Sequence, residues 1–297
     1  MCKLSIVTIN YNNAEGLRRT LASVAAQTCD SIEHIIIDGN STDGSVEIIK
    51  EYVHQLEIGD RKLEVYWVSE PDKGIYNAMN KGIRKASGEY IQILNSGDIL
   101  AAPDVTERMV KALDALNDEM SRADALNEPL SLNDGKMGIL YGNMIKKDYA
   151  TGKVIGKSGE VEYSLRQYYC STMNHDCCYI RRDLFEKFGL YDESLKIVSD
   201  WKWFLQAIGL GNVKPVYVDI DVTIFDASGV SESNLGLRNK ERRMVLEELL
   251  PPAVLVDFDK HSFEIQQMGR LRKHHLYGLV YLIERVLFKF EKWHILQ

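Results

Sequence analysis

The side chains in this sequence best suited to chemistry are aspartates placed in turns. Asp38 and Asp43 stand in DGNSTDGS, Asp72 in SEPDKG and Asp98 in LNSGDI, each at or just after the end of an apolar run of strand length. Carboxylates in such places accept hydrogen bonds from hydroxyls and ring N–H groups and bind hard cations through oxygen. Each position also has an ordinary reading. Ser41, Thr42 or Asp43 can cap a helix beginning near Ser45, Pro71 and Gly74 make EPDKG a turn in its own right, and Asn, Ser, Gly and Asp are common turn formers. None of these turns requires an aspartate, so their convergence favours a polar ligand with hydroxyls and ring N–H donors, such as a nucleoside. Further along, Asp200 opens a helical pattern in SLKIVSDWKWFL, where the helix dipole alone favours an acid; a carboxylate there can also serve as a general base. His175, in TMNHDCCYIRR, is either structural or part of the same site. Trp201, Trp203 and Tyr76 offer ring faces for sugars, with Trp203 at core spacing.

The elements that must position these residues are legible in the first third of the chain. Strand-like runs at Leu4–Ile9, His34–Ile37, Leu63–Val68 and Tyr90–Leu94 are nearly continuously apolar, as parallel strands covered on both faces should be. Between them, Leu17, Leu21 and Val24, then Val46, Ile49, Val53 and Leu56, then Ile75, Met79 and Ile83 recur at helical spacing. This βαβ alternation predicts an α/β fold with a mostly parallel sheet. Ligands in such sheets sit beyond the carboxyl ends of the strands, so the polar loops NYNNAEG, DGNSTDGS, SEPDKG and NSGD should line one crevice.

Residues 117–136, rich in acids and turn formers, read as a mobile surface insertion. From Gly138 the strand-like and helical patches mix less regularly, which predicts an α+β half completing the site through about residue 230. Residues 231–297 read as a helical region. The tail RLRKHHLYGLVYLIERVLFKFEKWHILQ combines aliphatic and aromatic residues with Arg270, Arg272, Lys273, Arg285, Lys289 and Lys292. Its apolar stretch Leu276–Ile283 is too short to cross a bilayer, which takes roughly 20 residues. It suits either a membrane surface or packing on the domain or on a second subunit.

Composition removes several classes. The 297 residues carry a formal charge of -7, which argues against a dominant nucleic-acid surface. Five cysteines without CxxC spacing suggest neither a disulfide framework nor a zinc site, and with no signal-peptide pattern at the N-terminus the expected location is cytoplasmic. The first βα turn lacks G-x-G-x-x-G, and no G-x-x-x-x-G-K-[ST] loop exists.

Four segments in order, SIVTINYNNAEGLRRTLASVAAQT, EHIIIDGNSTDGS, SEPDKGIYNAMNKGIRKASGEYIQILNSGD and FGLYDESLKIVSDWKWFL, resemble the family 2 glycosyltransferases of GT-A fold. The resemblance spans roughly residues 3–230. It implies a nucleotide-sugar half (1–116) and an acceptor half (137–230), and transfer of a sugar with inversion from a nucleoside diphosphate sugar, UDP favoured, with Mn²⁺ or Mg²⁺. It places Thr8, Asn10 and Tyr11 at the base pocket, Asp38 on base or ribose, Asp72 and Asn95 in the donor site, and His175 with Trp201 on the acceptor or diphosphate side. Asp98 becomes the metal ligand and Asp200 the general base. The family's metal motif is often Asp-any-Asp; here Asn95-Ser96-Gly97-Asp98 retains only the last acid. Processive relatives carry Gln-x-x-Arg-Trp and transmembrane helices, neither of which is visible, so the implied acceptor is a saccharide or lipid-linked saccharide extended by one sugar. Two alternatives stand beside this reading. A sugar-1-phosphate nucleotidyltransferase would show a Gly-rich basic loop where NYNNAEG stands, and an inactive nucleotide-sugar-binding module would not need Asp98 and Asp200.

Overall fold

The computed structural model describes residues 3–59, 63–125, 137–149, 151–226, 234–274, 276, 278–283 and 285. Four parallel strands, β1 (Leu4–Asn10), β2 (Ile32–Asp38), β3 (Glu64–Ser69) and β4 (Tyr90–Ile93), alternate with helices α1 (Ala14–Ala25), α2 (Ser45–Ile58) and α3 (Ile75–Lys85). Their order in the sheet is β3-β2-β1-β4. Strands β1 and β2 are buried along their whole length, which explains why they read as apolar runs rather than alternating ones. Both run further than the apolar pattern, to Asn10 and Asp38. The register sets Asn10 opposite Asp38, and Asp38 opposite Ser69, so one polar residue from each strand end lines up across the sheet.

Helix α1 buries Leu17, Leu21 and Val24 as the spacing predicts. Helix α3 departs by one residue: Tyr76 is buried and Ile75 exposed. Inside α3, Gly82 faces Val7, and a Cβ there would overlap the Val7 methyl. On an open helix face Gly→Ala stabilises by about 1 kcal/mol. Overpacking at this contact should reverse the sign, so Gly82→Ala is expected to destabilise by about 1–3 kcal/mol in denaturant unfolding; a more stable variant would show that helix and strand can part without cost.

The second half adds β5 (Ile99–Leu100), β6 (Ile139–Lys147), β7 (Val154–Lys157), β8 (Cys178–Arg181) and β9 (Pro215–Asp226) to the same sheet. Strand β8 lies antiparallel to β4, β6 follows β8, and β9 runs parallel to β6 with β5 on its outer side. LNSGDI is therefore the passage from β4 into β5, bringing Asp98 to the end of β9. Helix α4 (Val105–Ala125) replaces the first half of the expected insertion. Leu116 and Met120 continue its apolar face onto the core, Asn117 donates to the Tyr90 hydroxyl, and its Oδ1 accepts from Met137 N–H. Residues 126–136 lie outside the described residues.

Shorter helices, α5 (Leu165–Cys170), α6 (Asp183–Phe188) and α7 (Ser199–Phe204), flank this half. Trp203 is core, stacked on Phe185 at 4.7 Å. The chain divides into two compact units, Met1–Arg243 and Met244–Gln297. Helix α8 (Leu235–Leu249) begins in the first, and the second contains α9 (Pro252–Lys273). Among the described residues no helix is long and apolar enough to cross a membrane.

Candidate active site

Strand ends of the parallel half are tied together by Asp38. Its Oδ1 accepts from Asn10 Nδ2 at 2.7 Å and Ser41 Oγ at 2.6 Å, and its Oδ2 from Ser41 N at 2.9 Å and Ser69 Oγ at 2.6 Å. A fully buried carboxylate with four donors holds the first three crevice loops in fixed relation; a ligand reaches it only by displacing one of them. Asn10 Oδ1 is buried without a hydrogen-bond partner. Tyr11 is 65% exposed. Asp72 accepts from Gly74 N at 2.9 Å, and a Cβ on Gly39 would stand 2.5 Å from Asp72 Oδ2 and 3.1 Å from Tyr11 Cδ2. Glycine after Asp38 thus lets Tyr11 and Asp72 close on the β2 loop. Thr8 lies deeper: it is fully buried, and its hydroxyl pairs with His34 Nε2 at 2.9 Å, so it does not open onto the crevice. Asp43 caps from a distance, accepting from Ala14 N at 2.7 Å as well as from Ser45.

A second chain of hydrogen bonds crosses from this half to the other. Asn95, past β4, lies 3.2 Å from His175 Nε2; His175 Nδ1 lies 3.1 Å from Asp200 Oδ2; and Tyr76 Oη donates to Asp200 Oδ1 at 3.0 Å. His175 is in a one-turn helix, His175–Cys177, and Asp200 is the second residue of α7. Burial opposes a charge on His175. The hydrogen bond and charge of Asp200, with the charges of Asp176 and Asp98, outweigh it and raise the imidazole to about 9. For Asp200, burial disfavours the anion, but the hydrogen bond and charge of His175 and the Tyr76 hydroxyl hold it below the usual carboxylate range. The pair is ionised at neutral pH. An imidazolium has two N–H donors, and Asn95 Oδ1, buried and unpartnered, becomes its acceptor when the amide turns over. The Asp200 side chain is 18% exposed, so its carboxylate is held from behind and still reachable.

Asp98 sits 4% exposed, with Oδ1 accepting from Asp226 N at 3.0 Å. Burial, then the charge of Asp176, push its carboxyl well above the usual range, and Asp226 adds to the push. Asp176 is itself buried and bonded to Thr223, while Asp226 pairs with Arg19 at 3.0 Å. Among the described residues no group of three or more His, Cys, Asp or Glu forms a metal cage. Trp201 is not open to a sugar: it is 3% exposed, its N–H donates to Tyr168 O at 2.6 Å, and Arg242 covers its ring at 4.4 Å.

Ser41 and Ser69 as Asp38 partners, and Arg19 beside Asp226, escape sequence reasoning, as does the hydroxyl role of Tyr76. Ser41, Ser69 and Tyr76 leave a signal, as polar groups inside motifs already marked.

Comparison with known proteins bears on the family and the fold. A family model described as Glycosyl transferase family 2 matches residues 5–189. An uncharacterized glycosyltransferase of Mycobacterium tuberculosis is 32% identical over 233 residues, covering 76% of both chains. A PGL/p-HBAD biosynthesis glycosyltransferase of Mycobacterium bovis is 25% identical over 225 residues, 76% of this chain and 77% of that one. Among solved structures, S. aureus TarS 1-349 in complex with UDP-GlcNAc superimposes with a TM-score of 0.59 at 19% identity, covering 82% of this chain and 64% of that one. The mannosyltransferase PcManGT from Pyrobaculum calidifontis, solved with GDP-Man and Mn2+, gives 0.53 at 18% identity, covering 82% and 61%. These likenesses show a shared GT-A fold, and the family match spans more than half of the sequence: the chain belongs to the family 2 glycosyltransferases.

Proposed function

We propose that this glycosyltransferase moves one sugar, with inversion, from a nucleoside diphosphate sugar, UDP favoured, to a saccharide or lipid-linked saccharide acceptor, with Asp200 as general base. The observation that carries the reading is the Asn95–His175–Asp200–Tyr76 chain, which joins the crevice beyond the parallel strands to an ionised, reachable carboxylate. Asp200 takes the proton of the acceptor hydroxyl as that oxygen bonds to the anomeric carbon, and the bond from that carbon to the diphosphate oxygen breaks on the opposite face. His175 keeps Asp200 anionic and oriented, Tyr76 fixes its other oxygen, and Asn95 aligns the imidazole. Tyr11, Asn10 and Asp72 would receive the nucleoside, with Asn10 Oδ1 free to accept from a base N–H and Asp38 and Thr8 behind them.

A divalent cation, Mn²⁺ or Mg²⁺, fits the donor side through Asp98. A carboxyl crowded by Asp176 and Asp226 stays above its normal range even with the charge of His175 pulling it down, so a further positive charge would relieve it. Its oxygen chemistry suits a hard cation, and a single protein carboxylate leaves the remaining positions to diphosphate and water. When bound, such an ion stabilises charge growing on the leaving diphosphate.

In the second unit, Leu276, Leu279, Leu282 and Ile283 are exposed, which supports contact of this tail with a membrane surface on the cytoplasmic side, or with a second copy.

Thermal unfolding with UDP, GDP, UDP-GlcNAc and GDP-mannose, each with and without Mn²⁺, tests the reading. A cognate donor at 100-fold its Kd should stabilise by about 2.7 kcal/mol. No stabilisation by any nucleotide would sink it, and pyrophosphate rather than nucleoside diphosphate as product would favour the nucleotidyltransferase.

A further inference from the structure

Helix α8 holds the residues on either side of Asp200 in the sequence, and both lie beyond the matched family segment. The stretch Asp192–Val198, which leads into α7, is not regular secondary structure, and Asp192 N ties its start to the helix by donating to Ser199 Oγ at 2.5 Å. Val198, at the start of α7, contributes no side-chain cap. Ahead of the helix, Glu241 of α8, 5% exposed, accepts from Lys196 N at 2.8 Å with one oxygen and from Ile197 N at 2.9 Å with the other. A buried carboxylate forked onto two consecutive N–H groups fixes both position and direction of a loop, because charge-assisted hydrogen bonds are short and roughly twice as strong as neutral ones. Its neighbour Arg242 acts on the other side of Asp200. Its guanidinium lies 4.4 Å from the Trp201 ring centroid and donates to Tyr169 O at 3.0 Å, while Trp201 donates to Tyr168 O. Asp200 thus stands between a loop held by Glu241 and an indole held by Arg242.

We propose that Glu241 and Arg242 are positioning residues for the reaction: α8 sets where the Asp200 carboxylate sits against His175 and Tyr76. The inference rests on Asp200 being the base, the reading given above. Misplacing a reacting group by about 1 Å costs on the order of 100-fold, so a clamp on both sides of the base controls turnover without touching the donor. The groups facing Asp200 are His175, Tyr76 and Tyr191, with the charge of Arg242 behind, and those facing His175 are Asp200, Asp176, Asp98 and Asn95.

The test uses the full chain carrying Glu241→Gln or Arg242→Leu, with Asp200→Asn for comparison. The first readout is the titration of His175 by NMR of ¹³C-labelled histidine, its signal identified by its loss in His175→Gln. Loosening the clamp should lower the midpoint from about 9 toward the ordinary histidine value of about 6.5. The second readout is nucleoside diphosphate released at saturating UDP-GlcNAc or GDP-mannose, whichever stabilises the chain, expected to fall about 10- to 100-fold. UDP affinity with Mn²⁺ should stay within about twofold, since Glu241 and Arg242 bond to Tyr169, Ser171, Lys196, Ile197 and Trp201 and not to the loops that follow β1, β2 and β3. An unchanged His175 midpoint and unchanged turnover in both variants overturn the proposal. If those variants behave so while Asp200→Asn is silent, the clamp alone fails; if Asp200→Asn keeps turnover, the base assignment fails and the clamp with it. Should Glu241→Gln not fold, Arg242→Lys, which keeps the charge but not the planar stack, decides by the same two readouts.

Discussion

Asp200→Asn should lower transfer by roughly 10²–10⁴-fold while leaving nucleotide affinity intact, the range a positioned general base contributes. Asparagine keeps the shape and can still accept from Tyr76, so α7 should fold unchanged and the loss should fall on kcat. The structure adds a pH signature. The Asp200 carboxyl is opposed by burial and rescued by His175, which leaves it below the usual range. The base therefore stays ionised as pH falls through the ordinary carboxylate region, and the acid limb of the wild-type rate profile should lie below it. In His175→Gln the rescuing charge is gone and burial prevails, so the limb should move up in pH. Near-normal turnover in Asp200→Asn, or an acid limb unmoved in His175→Gln, would remove Asp200 from its role.

Asp98→Asn should cost metal-dependent transfer on the order of 100-fold, because the charge that stabilises the leaving diphosphate would lose its one carboxylate anchor. Asparagine retains an oxygen that can accept from Asp226 N–H, so the turn should survive. It also removes a buried carboxyl whose ionisation burial, Asp176 and Asp226 oppose, so without ligand the variant should unfold at a temperature no lower than the wild type. Calorimetric titration of Mn²⁺ in the presence of UDP reads the anchor directly: binding should weaken sharply in the variant. Because the motif holds a single acid, Mn²⁺ titrated without nucleotide should bind the wild type feebly. Tight Mn²⁺ binding to the nucleotide-free chain, or an undiminished metal response in Asp98→Asn, would contradict the assignment.

The parallel half of the fold was legible because its signals are local. Four apolar runs and three helical faces could be marked within a residue or two, and their carboxyl ends were visibly polar. The one-residue turn of α3 was not legible: Ile75 is the more apolar residue, yet Tyr76 is buried because its hydroxyl has a partner in Asp200. Residues 117–125 misled for a related reason. Their acids and Asn117 look like loop, but Leu116 and Met120 pack on the core, and Asn117 bonds to Tyr90 and Met137 from within a helix.

The order of elements in the parallel half, the polar loops at its strand ends and the membership of a sugar-transfer family follow from the sequence alone, since each rests on short-range pattern or on motifs in register. The state of the chemical groups does not. Tyr76 meets Asp200 across 124 positions and Arg19 meets Asp226 across 207. Whether a buried carboxyl is held below the usual range, like Asp200, or pushed above it, like Asp98, depends on burial and on partners that only the folded sheet brings together. The same fact enclosed Thr8 and Trp201, two residues with suitable chemistry and no open path to a substrate.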